Sequence, residues 1–136
     1  AYETSDGYLV IAAGNDSLFR SLCHALGHPE WLDDPRFQGN PQRVRYREAI
    51  DALIQAEIIR HDRNHWLKVL RDANVPCAPV QDTEEAFHCE QAQALGVVQP
   101  VPGSEMRFMG LPLRLNGERP PIRLGPPRLA TLPESQ

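Results

Sequence analysis

The sequence lacks the features that mark several large classes of protein. It contains no apolar run long enough to span a bilayer, no secretory signal pattern and no excess of positive charge. Its 14 Lys and Arg residues are scattered and are outnumbered by 18 Asp and Glu residues, so the formal net charge is -4. Nucleic-acid-binding domains usually present a basic face. We therefore expect neither a membrane partner nor a nucleic-acid partner.

The signatures of several catalytic classes are also missing. The chain has no Gly-x-Ser-x-Gly elbow, no Walker loop and no Gly-x-Gly-x-x-Gly fingerprint. His24 and His28 are four residues apart, as are His61 and His65, and on one helix such a pair can share a metal. Each pair straddles a predicted helix end, however, and the sequence indicates no third ligand. We expect no metal site.

Cysteine is scarce and follows no pairing pattern. Cys23, Cys77 and Cys89 are odd in number and lie far apart, whereas disulfide frameworks use paired cysteines. The sequence therefore predicts reduced thiols in a cytoplasmic protein. Cys77 lies between two prolines with no base at an informative spacing, which favours a packed side chain over a nucleophile.

Proline, in contrast, is abundant and unevenly placed. Six of the 13 prolines lie between Pro112 and Pro133, a density typical of a linker or an arm. The sequence predicts one small domain over residues 1–117 and a Pro-rich linker or tail over residues 118–136. The first residue is Ala1 rather than Met. We expect a trimmed chain or a piece of a longer protein.

Hydrophobic periodicity and capping residues predict an α+β fold, with a short antiparallel-type sheet and about five helices. The predicted helices cover residues 17–26, 40–60, 62–74, 82–88 and 89–95. The predicted strands cover residues 8–13, 75–80, 97–101 and 106–108, with 111–115 extending the last. The first strand is apolar throughout and is expected to be buried on both faces, whereas two prolines place 75–80 at a sheet edge.

The second predicted helix has a start signal and a charged side. Asn40 followed by proline predicts an N-cap and a first helical residue. Arg43, Arg47 and Arg60 are expected on the polar side of this helix.

Gly14, Asn15 and Asp16 join the first apolar strand to the first helix, and we call these three residues the corner. A glycine and two short polar side chains at a strand-to-helix junction allow two interpretations. Asn15 or Asp16 caps the helix, which is the usual role of such residues. Alternatively, the corner holds a carboxylate or an amide at the mouth of a cleft. The local pattern leaves both open.

Six collinear stretches of the sequence resemble motifs of the family III CoA-transferases. They are residues 4–16 (TSDGYLVIAAGND), 26–30 (LGHPE), 33–37 (DDPRF), 40–47 (NPQRVRYR), 75–80 (VPCAPV) and 110–117 (GLPLRLNG). The sequence departs from the family pattern at Tyr46, where the family has Asn, and at Asn74, where it has Gly. Residues 130–134 read ATLPE in place of Gly-Glu-His-Thr.

The resemblance implies the C-terminal small domain of an enzyme that moves CoA between carboxylic acids. The group includes carnitine and formyl-CoA transferases, with α-methylacyl-CoA racemase as a relative. Its members use an aspartate nucleophile, which forms a mixed anhydride and then an aspartyl-CoA thioester, and they assemble as interlocked homodimers. No residue here matches the nucleophile, so the segment alone is expected to be inactive. Coenzyme A thioester is implied as a substrate, with no tightly bound cofactor.

On this resemblance, Gly14, Asn15 and Asp16 are the residues expected to line the acyl or CoA pocket. Two other functions stay open. The first is acyl-CoA racemisation, for which Asp16 would be the acid or base. The second is a non-catalytic, stand-alone interaction domain that kept the family fold.

Overall fold

A computed structural model of the chain describes residues 1–127, which form two compact units. The first unit is Ala1–Val80, and the second begins at Gln81. The α+β fold class is confirmed, since the described residues form six α-helices and two small antiparallel sheets. The predicted division at residue 117 stays a prediction, and the unusual tail sequence at 130–134 lies outside the described residues.

The first unit is built on a three-stranded antiparallel sheet. Its strands are β1 (Tyr2–Thr4), β2 (Gly7–Ile11) and β3 (Cys77–Val80), in the order β1-β2-β3. The edge position predicted for the proline-containing strand is confirmed, because within residues 1–127 β3 pairs with β2 alone, where Leu9 lies opposite Pro79. Strand β1 is not predicted from the sequence, because its three residues are too few to show a period.

Strand β2 is buried on one face only, so the expectation of burial on both faces is wrong. Leu9 is completely buried, whereas its neighbours Tyr8 and Val10 are 51% and 43% exposed. In an antiparallel sheet covered by helices on one side, alternate side chains face the core and solvent. The apolar residues at 8 and 10 therefore reflect strand propensity more than burial.

Four helices of the first unit follow the two N-terminal strands. They are α1 (Asp16–Leu26), α2 (Asn40–Arg45), α3 (Arg47–Ile58) and α4 (Arg63–Asp72), with a 3-10 turn at Pro29–Leu32. The apolar side chains of these helices pack with Leu9 of β2 into one hydrophobic core. Its buried members are Leu9, Phe19, Leu22, Cys23, Leu26, Trp31, Phe37, Ile50, Ile54, Ile58, Trp66, Leu70 and Val75.

Most helix ends lie where the capping residues predict. Gly27 ends α1 in the left-handed region at φ 81°, and Asn74 adopts φ 56° after α4. Asp62 caps α4 by accepting a hydrogen bond from the His65 amide at 2.7 Å. These signals are local, which is why the sequence alone reveals them.

The single helix predicted over residues 40–60 is wrong, because Tyr46 divides it into α2 and α3. Tyr46 has φ -104° and ψ 31°, outside the helical region, so α2 ends before it and α3 begins after it. Asn40 also does not cap the helix. It is the first residue of α2, and the capping position belongs to Gly39, which has no side chain to offer.

The second unit contains two short helices and a hairpin. Helices α5 (Thr83–His88) and α6 (Glu90–Ala94) precede strands β4 (Val98–Pro100) and β5 (Arg107–Met109), which pair antiparallel. The predicted capping box of Asp82 and Glu85 is confirmed. Residues 111–115 do not extend β5 and form only an isolated bridge from Leu115 to Glu118.

Candidate functional site

An open cleft of about 440 Å³ lies in the first unit. The end of β2 and the start of α1 form one side of it, and helices α2 and α3 form the other. This volume is within the range of small-molecule sites. Its apolar lining residues are Ile11, Ala12, Ala13, Phe19, Leu22, Val44, Ile50 and Ile54. Its other lining residues are Tyr2, Gly14, Asn40, Arg43, Arg47 and Asp51. The cleft therefore combines an apolar floor with a few polar groups.

The structure places the three corner residues in different surroundings. Gly14 lines the cleft, and a Cβ atom built at this position would meet no atom within 4 Å. Asn15 caps α1, since its Oδ1 accepts a hydrogen bond from the Leu18 amide at 2.8 Å. Asp16 begins α1 and pairs with Arg43. Of the corner, only Gly14 is among the residues that line this cleft, and a substrate role for the three stays a prediction.

Arg43 is buried, which corrects its expected place on the polar side of the helix. Its side chain is 8% exposed, and Nη2 donates to Asp16 Oδ1 at 2.7 Å while Nη1 donates to the Phe37 carbonyl at 3.1 Å. The guanidinium carbon lies 4.5 Å from the centre of the Phe19 ring. No local pattern predicts this burial, because both hydrogen-bond acceptors of Arg43, on Asp16 and Phe37, lie outside its own helix.

A second polar group lies at the rim of the cleft. The Tyr2 hydroxyl donates to Asp51 Oδ1 at 2.6 Å, and Arg47 Nε donates to Asp51 Oδ2 at 3.2 Å. Burial, and next the hydrogen bond to Asp51, raise the pKa of Tyr2 far above its ordinary value. Tyr2 is therefore a neutral phenol at any physiological pH.

Comparison with known proteins agrees with the resemblance. The sequence profile of CoA-transferase family III matches residues 1–131. The chain belongs to this family. The acetyl-CoA:oxalate CoA-transferase of Acetobacter aceti is 33% identical over 129 residues, which is 94% of this chain and 33% of the relative. The succinate–glutarate CoA-transferase of Agrobacterium fabrum is 31% identical over 139 residues, 96% of this chain and 35% of the relative.

A solved structure shares the fold of this family III chain. The crystal structure of a CAIB/BAIF family protein from Brucella suis superposes with a TM-score of 0.83 at 30% identity. The match covers 94% of this chain and 33% of that protein. The chain thus spans about a third of the length of these relatives.

The other candidate groups in the family III chain offer little chemistry. Across residues 1–127, no three His, Cys, Asp or Glu side chains are arranged to hold a metal ion. Burial raises the pKa of the Cys23 thiol to about 11 and also raises that of Cys77, which disfavours the reactive thiolate at both. No helix within residues 1–127 is long and apolar enough to cross a membrane.

Proposed function

We propose that this chain is the small domain of an acyl-CoA:carboxylate CoA-transferase and lines the cleft in which the substrates react. The observation that carries the proposal is the 440 Å³ cleft with Gly14 in its wall, in a chain that belongs to CoA-transferase family III. An apolar floor suits the acyl chain of a thioester, and a few polar groups at the rim suit its carbonyl and an acid.

The proposed chemistry takes its nucleophile from outside these 136 residues. An aspartate carboxylate attacks the carbonyl carbon of the acyl-CoA, and the C–S bond breaks. The products are CoA thiolate and a mixed anhydride that joins the acyl group to the aspartate. The thiolate then attacks the aspartyl carbonyl and releases the donor acid, which leaves an aspartyl-CoA thioester. The acceptor acid reverses both steps. In this scheme CoA is a substrate, and no tightly bound cofactor takes part.

The role of the present residues is to bind and orient. The side-chain oxygen of Asn15 accepts a hydrogen bond from the Leu18 amide, and this cap fixes the start of α1 beside the cleft. The first amides of a helix have no acceptor within the helix, and such donors stabilise the oxyanion that forms at a thioester carbonyl. By analogy with the family, we also propose that the whole enzyme is a cytoplasmic homodimer.

The racemase alternative assigns proton transfer to Asp16 and has less support. One oxygen of this carboxylate already accepts a hydrogen bond from Arg43, and the similar proteins named above are transferases. Exchange of the substrate α-proton in heavy water separates the two functions. Exchange that is lost in Asp16→Asn would favour the racemase, and absence of exchange in the wild-type protein would exclude it.

The transferase proposal is tested by comparing the 136-residue chain with the full polypeptide encoded by its gene, which we expect to be longer. Each is incubated with acetyl-CoA and oxalate, or with succinyl-CoA and glutarate, and the new CoA ester is measured by mass spectrometry. We expect transfer by the longer polypeptide and none by the short chain. Turnover by the short chain alone would refute the proposal that the nucleophile lies outside these 136 residues. A gene that encodes no further domain would favour the stand-alone interaction domain.

A further inference from the structure

We infer that Arg43 is a positioning residue for the corner of Gly14, Asn15 and Asp16, an inference that rests on the function proposed above. Arg43 acts through Asp16, to which it is joined across 27 residues of sequence. It thereby fixes where the start of α1 stands relative to α2, the two elements on either side of the cleft.

Three contacts hold the Arg43 guanidinium in one orientation. Two different Nη atoms donate to Asp16 and to the Phe37 carbonyl, and the group lies over the Phe19 ring. The planar fork of a guanidinium has its donors at fixed angles, so two acceptors define its plane. The Phe19 ring supports the same plane from one side. A lysine ammonium keeps the charge but cannot reproduce this geometry.

The two members of the ion pair differ in exposure, and this difference indicates which residue positions the other. Arg43 is 8% exposed, whereas the side chain of Asp16 is 67% exposed. An exposed aspartate at the start of a helix is free to change rotamer unless a partner holds it. The buried guanidinium is thus the anchor, and Asp16 is the group that it holds in place.

The position of the corner matters because Gly14 and Arg43 both line the cleft. A shift of the start of α1 therefore moves one wall relative to the other. Misplacement of a binding wall weakens ground-state and transition-state binding together, which raises KM and leaves kcat nearly unchanged. A purely structural role would instead lower the stability and the amount of active enzyme.

The experiment uses the longer polypeptide and three single variants, Arg43→Lys, Asp16→Asn and Arg36→Lys, together with the double variant of Arg43 and Asp16. Arg36→Lys is the matched control, since Arg36 also binds an aspartate, Asp34, but does not line the cleft. We expect Arg43→Lys and Asp16→Asn each to raise KM for acyl-CoA about tenfold with kcat within about twofold of wild type. The double variant should be no worse than either single one, because both substitutions act on the same charged contact.

Two results would overturn the inference. One is a folded Arg43→Lys or Asp16→Asn enzyme with the wild-type KM, and the other is full additivity in the double variant. The Asp16→Asn variant keeps the test informative if Arg43→Lys does not fold, because its side chain is mostly exposed.

A separate measurement on the 136-residue chain does not depend on activity. Arg43→Lys should shift the amide NMR signals of residues 14–16, and Arg36→Lys should leave them in place. Unchanged signals in folded Arg43→Lys would overturn the inference even if the enzyme is a CoA-transferase. Shifted signals with no CoA transfer by the longer polypeptide would support the positioning contact and refute the proposed function.

Discussion

The one-sided burial of β2 predicts unequal losses of stability for substitutions at two adjacent residues. Leu9 is completely buried, and Leu9→Ala removes three carbon atoms from the core. Their transfer is worth about 2.4 kcal/mol at ~0.8 kcal/mol per carbon, and the cavity left behind brings the expected loss to about 3–4 kcal/mol. Val10 is 43% exposed, and Val10→Ala removes two carbon atoms that are partly solvated already. We expect a loss below about 1 kcal/mol.

Urea unfolding measures both losses in the same chain. Far-UV circular dichroism follows the helices, and the fluorescence of the buried Trp31 and Trp66 follows the core. Coincident transitions by the two probes would justify a two-state free energy. Equal destabilisation by the two variants would show that β2 is buried on both faces and would refute the sheet described above.

Three further predictions concern a pH dependence, a helix cap and a thiol. The hydrogen bond to Glu30, followed by that to Glu57, raises the pKa of His28. The contribution of His28 to stability is therefore complete below about pH 6.5, the ordinary histidine pKa. It is lost as the pH rises through the higher pKa of the folded state. The melting temperature of His28→Gln should lack this part of the pH dependence seen in the wild-type chain. Asn15→Ala should cost about 1 kcal/mol in urea unfolding through the lost cap, and Asn15→Asp should restore most of it. At pH 8, a thiol reagent should modify native Cys23 far more slowly than the other two cysteines, because Cys23 is fully buried; equal rates would contradict its place in the core.

The features that sequence predicted best are those encoded by neighbouring residues. The caps at Asn15, Asp62 and Asp82 each bond an amide three residues ahead, so a short pattern is enough to find them. The edge position of β3 follows in the same way, because proline cannot donate to a central ladder.

The features that sequence missed depend on distant partners. The bond from Arg43 to Asp16 joins residues 27 apart, and no local pattern shows that an arginine is buried. The break between α2 and α3 involves the backbone angles of one residue, Tyr46. A single non-helical residue leaves the spacing of the apolar side chains almost unchanged, so the sequence reads as one helix. The apolar run of β2 does not predict one-sided burial, because composition does not reveal which side of a sheet is covered.

Gly14 offers the most direct measurement of whether the cleft receives the substrate. A Cβ atom at this position would meet nothing within 4 Å, so substitution should fill the cleft without disturbing the fold. In the longer polypeptide, we expect Gly14→Ala to behave nearly as wild type. Gly14→Leu should keep the wild-type melting temperature but raise KM for acyl-CoA about tenfold or more. A folded Gly14→Leu enzyme that transfers CoA with the wild-type KM would contradict the placement of the substrate in this cleft.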